Sequence, residues 1–240
     1  MMRVLLANDD GIDAEGLLHL AAVVREFADV WIVAPVRQCS AMSHRITVRQ
    51  PMRLTQVSYP LEGVKAWALD GMPADCVKIG LQYLDIQPDF VISGVNHGTN
   101  LGFDTFYSGT VACAVDARIH KIPSIAVSNE SKSAWELVDL RLGGILKELM
   151  KRPLEAEAFW NVNFPDCSPQ LCRGILWDRK PAPAEIFSPE ITVSRDEDGQ
   201  LMVCADGCVA MEKAALPGTD VEAVLNKYIS VGKIICNRLV

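Results

Sequence analysis

Near its start the chain reads Arg3-Val4-Leu5-Leu6-Ala7-Asn8-Asp9-Asp10-Gly11. The apolar part predicts a buried strand, and the polar part predicts a turn at the carboxyl end of that strand. Two adjacent carboxylates raise each other's pKa unless a cation or several hydrogen-bond donors offset their charge. A hard divalent metal bound by oxygens would offset it best. The alternative is an ordinary turn that caps the next helix, since Asp and Gly are common in turns.

Apolar runs and helical patterns alternate over the first two thirds of the chain. Predicted strands cover residues 4–7, 30–34, 47–54, 65–69, 90–93, 124–127 and 159–163, and predicted helices cover a segment capped by Asp13 and residues 74–84, 110–119 and 135–150. This alternation indicates a mostly parallel sheet with helices on both faces. Residues 173–210 are richer in charge and turn residues, which suggests β-hairpins or an arm outside the sheet. A capping box at Thr219 to Glu222 predicts a short helix, and residues 228–231 predict a late strand.

Composition and charge limit the classes of function. The chain has 240 residues, half of them apolar, which is enough for one large α/β domain or for a domain with an arm. The net charge of -7 disfavours a protein that binds nucleic-acid backbones, but not one that binds a small phosphorylated substrate. No apolar run has the length of a membrane helix, and no leader precedes the first strand. A cytoplasmic protein with no membrane partner is therefore expected.

The eight cysteines are expected to be structural thiols. The closer pairs lack Cys-x-x-Cys spacing and have no His nearby, so a zinc site is not expected. Disulfides are not expected either, because they are rare in cytoplasmic proteins.

Three polar loops follow three predicted strands, and in an open parallel sheet ligands bind beyond the carboxyl ends of the strands. The first loop is residues 8–11, the second loop is residues 35–44, and the third loop is residues 94–110. A loop as long as the third is usually functional inside a compact domain. These loops therefore define the candidate site.

Each loop offers a different chemical group. Asp9 and Asp10 offer carboxylate oxygens to a metal. Ser40 and Asn96 offer neutral oxygens, which fill coordination positions without adding repulsion. The run Ser108-Gly109-Thr110 ends the third loop and opens a helix, where backbone amides and hydroxyls can bind a phosphate. A phosphate beside a divalent ion is the starting arrangement for metal-assisted hydrolysis of a phosphoester.

Less specific interpretations stay open for several residues. Asn96 and Asn100 are also typical of left-handed turns, and Ser108 is also a common helix cap. Other polar side chains are expected to be non-catalytic: His97 as an exposed loop residue, His44 at a strand edge, Asp104 and Asp116 as solvated or helix-facing residues, and Arg37 as a surface charge.

Taken together, the loops resemble those of the SurE (survival protein E) family of 5'/3'-nucleotidases. The resemblance lies in the first loop with Glu15-Gly16-Leu17, in residues 33–47, and most strongly in residues 93–102 with Tyr107-Ser108-Gly109-Thr110-Val111. It extends to residues 122–128, 161–165 and 219–220, so it is nearly continuous to Pro165 and patchy beyond. The chain departs from the family pattern at Val36, at Ala41, where glycine is common, and at Phe103, where an acidic residue is frequent. Ala41 restricts the backbone beside Ser40.

The resemblance implies a three-layer α/β/α, Rossmann-like, mostly parallel sheet with a C-terminal β-hairpin arm. The core would occupy residues 1–170, and residues 171–240 would form the arm and a closing segment of a single domain. Exchange of the arm between subunits implies a homodimer or homotetramer.

The resemblance also implies a site and a reaction. One Mg2+ or Mn2+ per subunit would be held by Asp9, Asp10, Ser40 and Asn96, and the phosphate would contact Asn100, Ser108, Gly109 and Thr110. The implied reaction is hydrolysis of nucleoside 5'- and 3'-monophosphates, and of short polyphosphate, with Asp9 and Asp10 as catalytic residues. The attacking group is either a water or a carboxylate that forms a phospho-aspartate.

Rival functions use the same type of sheet. A non-catalytic sensor of metal and nucleotide would keep the cleft and release no phosphate. A dinucleotide-dependent oxidoreductase would need Gly-x-Gly-x-x-Gly after a strand, and a haloacid-type phosphatase would need Asp-x-Asp. The first strand is followed by Asn8-Asp9-Asp10-Gly11 instead, which disfavours both of these enzymes.

Overall fold

A computed structural model describes residues 2–131 and 134–236 of the chain. Within them the elements follow in the order β1 (Arg3–Ala7), α1 (Glu15–Val24), β2 (Asp29–Pro35), β3 (Leu54–Val57), β4 (Lys65–Leu69), α2 (Pro73–Gln82), β5 (Phe90–His97), a 3-10 helix (Gly102–Phe106), α3 (Gly109–Ile119), β6 (Ser124–Asn129), α4 (Glu136–Leu149), β7 (Ala158–Phe164), β8 (Ile175–Arg179), β9 (Phe187–Arg195), β10 (Leu201–Val209), α5 (Asp220–Leu225) and β11 (Ile229–Ile235). The predicted alternation of strands and helices is confirmed.

Nine strands form one sheet in the order β3-β4-β2-β1-β5-β6-β7-β11-β8. The six strands from β4 to β7 in this order are parallel, whereas β3 is antiparallel to β4 and β11 is antiparallel to β7. From β1 the chain adds β2 and β4 on one side, and it then returns to the other side of β1 to form β5. The strand order therefore reverses between β1 and β5, the position at which ligands bind in open parallel sheets.

Alternate residues of β1 face two different helical layers. Val4 and Leu6 pack in the core that includes α1 and α4, whereas Leu5 and Ala7 pack in the core that includes α2 and α3. All four side chains are completely buried. The predicted α/β/α arrangement is confirmed. In the described part of the chain, no helix has both the length and the apolar character needed to cross a bilayer.

The predicted hairpin arm is the pair β9 and β10, which form a separate antiparallel sheet of two strands. Every residue of β9 is exposed. The other two strands that follow residue 171 belong to the central sheet, because β11 lies between β7 and β8. The helix α5 begins as predicted, with the Thr219 hydroxyl accepting a hydrogen bond from the Glu222 N–H at 3.2 Å. The division of the chain at residue 170 stays a prediction.

The prediction of a strand over residues 47–54 is wrong. The strand β3 begins only at Leu54 and is an edge strand. The Thr47 N–H donates to both carboxylate oxygens of Asp75, at 3.1 and 3.0 Å, so it is not available to a neighbouring strand. Arg49 has a positive φ of 60°, which also departs from extended backbone.

Two element boundaries also differ from the prediction. The helix α1 has Ala14 at its N-cap and no side-chain cap, so Asp13 is not the capping residue. The strand β5 continues past Ser93 to His97, because Asn96 and His97 pair with β6 after an irregularity in the register. The cysteines with described side chains are free thiols, and the side chain of Cys208 lies outside this description.

Candidate active site

The three loops emerge side by side at one edge of the sheet. They follow β1, β2 and β5, which are parallel neighbours in the order β2-β1-β5. In the first loop, the Asn8 amide donates to the Gly11 carbonyl at 2.8 Å, and the Gly11 N–H donates to Asn8 Oδ1 at 3.2 Å. Gly11 has a φ of 108°, which favours glycine. Asn8 and Gly11 thus close the turn that carries the two carboxylates.

The Asp9 carboxylate lies in the interior, with only 3% of the residue exposed. The Thr110 hydroxyl, in the first turn of α3, donates a hydrogen bond to Asp9 Oδ1. Burial raises the pKa of Asp9 to about 6, the hydrogen bond from Thr110 opposes this rise, and the charge of Asp10 adds to it. The backbone of Asp9 is fixed as well, because the Cys39 N–H donates to the Asp9 backbone carbonyl at 2.7 Å. Without a cation, ionisation of Asp9 is therefore less favourable in the folded protein than in the unfolded chain.

The Asp10 carboxylate joins the first loop to the other two. The backbone N–H of His97, at the end of β5, donates to Asp10 Oδ2 at 3.0 Å. The Gln38 amide, in the second loop, donates to Asp10 Oδ1 at 3.3 Å. These bonds hold the carboxylate in one orientation beside Asp9.

Ser40 and Asn96 are each one residue from a backbone N–H that bonds to the first loop. Ser40 follows Cys39, whose N–H donates to the backbone carbonyl of Asp9, and Ser40 is exposed. Asn96 precedes His97, whose N–H donates to Asp10. The Asn96 amide nitrogen donates to the Gly98 carbonyl at 2.8 Å, so Oδ1 is the atom left for another partner.

The chemistry of these donors fits a hard divalent cation. Two carboxylates, a hydroxyl and an amide oxygen supply only oxygen ligands, which Mg2+ and Mn2+ prefer. Among residues 2–131 and 134–236, no three His, Cys, Asp or Glu side chains are close enough together to hold a metal. A cation here would therefore depend on the neutral oxygens as well as on Asp9 and Asp10.

The start of α3 lies directly against Asp9. The Ser108 hydroxyl caps the helix by accepting from the Val111 N–H at 3.1 Å. A Cβ atom added to Gly109 would lie 2.7 Å from Asp9 Cβ and 3.0 Å from Pro73 Cγ, so only glycine fits at this position. The predicted phosphate residues Ser108 to Thr110 and the predicted metal ligand Asp9 are thus packed together, and Ser108 also has the capping role that the sequence allowed.

Asn100 lies within a network of buried amides. Its backbone N–H donates to Asn163 Oδ1 at 2.8 Å, and its side chain donates to the Ser128 hydroxyl at 2.8 Å. Its carbonyl accepts from the side chains of Asn161, at 2.9 Å, and Asn163, at 3.1 Å. The sequence did not reveal these partners, although polar residues at alternate positions of the fully buried β7 are a signal of such a network.

Asp220 is another positioning residue that sequence reasoning missed. Its buried carboxylate accepts hydrogen bonds from the backbone N–H groups of Gly102, at 3.0 Å, and Ala182, at 2.8 Å. Burial raises the pKa of Asp220, and the backbone hydrogen bonds oppose this rise. The carboxylate thereby ties the third loop to the C-terminal part of the chain.

Three side chains expected to be non-catalytic are accounted for by other contacts. Arg37 pairs on the surface with Asp70 at 3.2 Å, as expected. The carboxylate of Asp104 accepts from the N–H groups of Ile186 and Phe187, at 3.0 and 2.9 Å. His97 is not an exposed residue, because its ring packs against Trp135 with 5.3 Å between centroids.

Comparisons with known proteins identify the family of the chain. The family model described as "Survival protein SurE" matches residues 4–182. The chain belongs to the SurE family. It is 37% identical over 235 residues to the 5'-nucleotidase SurE of Clostridium botulinum (strain Kyoto / Type A2), covering 96% of this chain and 91% of that protein. It is 44% identical over 173 residues to the 5'-nucleotidase SurE of Pelotomaculum thermopropionicum, covering 70% of this chain and 66% of that protein.

A solved structure supports the same assignment. The crystal structure of the SurE protein from Aquifex aeolicus matches this SurE-family chain with a TM-score of 0.82 and 31% sequence identity. The match covers 98% of this chain and 93% of the Aquifex chain, so it includes the C-terminal region in which the sequence motifs are patchy.

The three positions expected from the sequence to depart from the family pattern all lie on the surface. Val36 and Phe103 are 45% and 43% exposed. Ala41 has a positive φ of 56°, in the left-handed region that favours glycine. The backbone at Ala41, directly after Ser40, is therefore strained in this SurE-family protein, as its restriction in the sequence predicts.

The buried carboxylate of Asp9 predicts how stability depends on pH in the metal-free protein. Its pKa is higher in the folded state, at about 6, than its ordinary value of 3.8. Such a group favours folding below pH 3.8, and this contribution is lost as the pH rises through about 6. The free energy of unfolding of wild type, relative to that of Asp9→Asn, is expected to fall by roughly 2 kcal/mol from pH 4 to pH 7. Urea unfolding at several pH values measures it, and a difference independent of pH would contradict the prediction.

Proposed function

We propose that this protein is a metal-dependent nucleotidase that hydrolyses nucleoside 5'-monophosphates to nucleoside and phosphate. We further propose 3'-monophosphates and short polyphosphate as additional substrates. The observation that carries the proposal is the buried Asp9 carboxylate, which lies beside Asp10 at the switch point of the sheet and bonds to Thr110 at the start of α3. This arrangement puts a cation-binding group in contact with a helix N-terminus that favours anions. The names of the relatives, 5'-nucleotidase SurE, support the reaction.

Asp9, Asp10, Ser40 and Asn96 are the proposed ligands of one divalent cation, Mg2+ or Mn2+, per subunit. When bound, the cation would place positive charge against the phosphoryl oxygens and lower the pKa of a water. Asp10 is held by the N–H of His97 and by Gln38, so its orientation does not depend on the substrate. Asp9 or Asp10 would orient or deprotonate a water, whose oxygen bonds to phosphorus while the ester P–O bond breaks and the nucleoside leaves as the alcohol. In the alternative, a carboxylate attacks phosphorus, the nucleoside leaves in the same way, and water then hydrolyses the phospho-aspartate to phosphate and the free carboxylate.

The start of α3 is the proposed binding position of the phosphate. The Val111 N–H donates to the Ser108 hydroxyl, and both the hydroxyl and the backbone N–H of Thr110 bond to Asp9. The Gly109 N–H is therefore proposed as the first contact of the anion, with Ser108 and Thr110 beside it. Asn100 is proposed to complete the phosphate contacts, and its network with β7 fixes its position.

The arm formed by β9 and β10 is the proposed contact between subunits of a homodimer or homotetramer. Its exposed side chains include many apolar ones, namely Phe187, Ile191, Val193, Leu201, Met202, Val203 and Val209. A free two-stranded hairpin is marginally stable in water, so these residues would be stabilised by a second subunit.

Phosphate release from nucleotides tests the proposal. The metal-stripped protein is incubated with AMP, GMP, CMP, UMP, 3'-AMP or tripolyphosphate, with and without Mn2+ or Mg2+, and phosphate is measured with malachite green. We expect release only with added metal, loss of release in EDTA, and recovery when the metal is restored.

The rival function, a non-catalytic sensor, gives a different result in the same experiment. Nucleotide and metal would raise the melting temperature of the protein by mass action, but no phosphate would appear over several hours. That outcome would show that the protein binds nucleotide and metal at this site as a sensor and is not a nucleotidase.

A further inference from the structure

The second loop is an exposed segment that polar contacts hold in place. Residues 40–46 are all exposed, so little apolar packing fixes them. The Ser43 N–H donates to the Tyr107 carbonyl at 2.9 Å, and the Ser43 hydroxyl donates to the Phe106 carbonyl at 2.7 Å. These bonds attach the second loop to the end of the 3-10 helix, next to the start of α3.

The backbone of this loop is strained and therefore needs such contacts. Ala41 and Ser43 have φ angles of 56° and 53°, both in the left-handed region. A residue with a Cβ atom is disfavoured there by roughly 1–2 kcal/mol. Ser40, a proposed metal ligand, directly precedes this strained segment. The position of Ser40 therefore depends on the contacts that keep this loop from relaxing.

A buried carboxylate on α3 gives the loop one more attachment. Asp116 has a completely buried side chain, contrary to the solvated position that the sequence allowed. Three basic side chains surround it: His44 Nε2 at 3.4 Å, Lys78 Nζ at 3.6 Å and His120 Nδ1 at 3.6 Å. Within the described residues, Asp116 Oδ2 accepts no hydrogen bond. A buried carboxylate with one oxygen unbonded depends strongly on the neighbours that remain.

Of these three basic residues, His44 is the one that belongs to the second loop. Lys78 lies on α2. His120 follows the last residue of α3, and its Nδ1–H donates to the backbone carbonyl of Asp116 at 2.9 Å. The contact between His44 and Asp116 therefore connects the loop of Ser40 to α3.

The same helix also supports Asp9. Gly109 and Asp116 are seven residues apart, nearly two helical turns, so they lie on the same side of α3. Gly109 packs on Asp9 and on Pro73 at the start of α2, and Asp116 meets Lys78 further along α2. The helix α3 is thus a common support for the carboxylate pair and for the second loop.

We propose that His44 is a positioning residue that sets the distance between Ser40 and Asp9 through its contact with Asp116. Removal of this contact lets the strained second loop relax and weakens the binding of the divalent cation. The inference rests on the metal site of the proposed function. It assigns His44 no contact with the substrate.

The test compares His44→Ala with the wild type in two measurements. The affinity for Mn2+ is measured on metal-free protein from the electron paramagnetic resonance signal of free Mn2+. Loss of a hydrogen bond to a charged group is expected to weaken binding about five- to tenfold. At saturating Mn2+, kcat for AMP should stay within about twofold of wild type, because the reacting groups are retained. Hydrogen exchange of residues 36–46 in the metal-free protein should become faster.

Two further variants separate positioning from general stability. His44→Gln keeps an N–H donor on the side chain and should restore most of the Mn2+ affinity. His120→Ala removes another partner of the same carboxylate but leaves the second loop attached, so the Mn2+ affinity should not change. This should hold even if His120→Ala lowers the melting temperature more than His44→Ala does.

Several results would overturn the inference. They are Mn2+ affinity and loop exchange in His44→Ala equal to wild type, equal weakening in His120→Ala, or no recovery in His44→Gln. If the wild type itself binds no Mn2+, the proposed function fails, and the exchange rate of the second loop still decides whether His44 fixes it.

Discussion

Asp9→Asn is expected to abolish the release of phosphate from AMP while making the metal-free protein more stable at pH 7. The substitution removes an anionic ligand from the proposed metal site, which should lower kcat/KM by roughly a hundredfold or more. It also removes a buried charge whose pKa is raised to about 6, so ionisation no longer opposes folding. The Asn side chain retains an oxygen for the Thr110 hydroxyl that now bonds to Asp9. Phosphate assays and thermal unfolding measure the two effects.

A matched control for this prediction is Asp29→Asn. Asp29 is an exposed residue at the start of β2, at the opposite edge of the sheet from the three loops. The same chemical change there should alter neither activity nor stability appreciably. Near-normal turnover in Asp9→Asn would contradict the assignment of Asp9. Loss of activity together with loss of the folded structure would contradict the expected gain in stability.

Gly109→Ala is expected to have the second-largest effect on activity. The new Cβ atom would lie 2.7 Å from Asp9 Cβ, 2.9 Å from Asp9 Oδ2 and 3.0 Å from Pro73 Cγ. Either the Asp9 carboxylate or the first turn of α3 must move, and overpacking of this kind costs about 1–3 kcal/mol. Displacement of a reacting group by about 1 Å can reduce the rate by roughly a hundredfold. We expect kcat/KM for AMP to fall roughly tenfold to a hundredfold.

The control for this variant is the same substitution in open space. Gly144 lies in α4, and an added Cβ atom would meet nothing within 4 Å. Gly144→Ala should stabilise the protein by roughly 0.5–1 kcal/mol, since Ala is the better helix former, and leave kcat/KM unchanged. Full activity in Gly109→Ala would mean that the start of α3 does not need its close contact with Asp9.

Residues with strong local signals could be placed from the sequence alone. The run from Arg3 to Gly11 combines a buried strand with a polar turn, and the structure has β1 and the first loop at those positions. The three loops could be expected at one edge because parallel strands end on the same side of a sheet. The sequence did not show that β2, β1 and β5 are immediate neighbours, since strand order depends on long-range packing.

Other features depended on contacts between distant residues. The segment from Thr47 to Leu54 looks like a strand in its local pattern, but Asp75 binds the Thr47 N–H, and the strand forms further on. The bond between Thr110 and Asp9 joins residues 101 positions apart. Local patterns carry no information about pairs at such separation, which explains why the sequence predicts only a phosphate contact for Thr110.

The contact of His44 with Asp116 shows the same limitation. In the sequence His44 lies in a polar loop and Asp116 lies in a mostly apolar predicted helix, and neither suggests a link between the second loop and α3. In the structure, His44 and Lys78 both contact Asp116 Oδ1.

The most direct measurement is the equilibrium binding of Mn2+ to the metal-free protein, followed by electron paramagnetic resonance in wild type, Asp9→Asn, Asp10→Asn and Asn96→Ala. The account predicts one Mn2+ per chain in wild type and weaker binding in every variant, because all three residues contribute oxygens to the same cation. A wild-type protein that binds no Mn2+, or variants that bind it as tightly as wild type, would contradict the account.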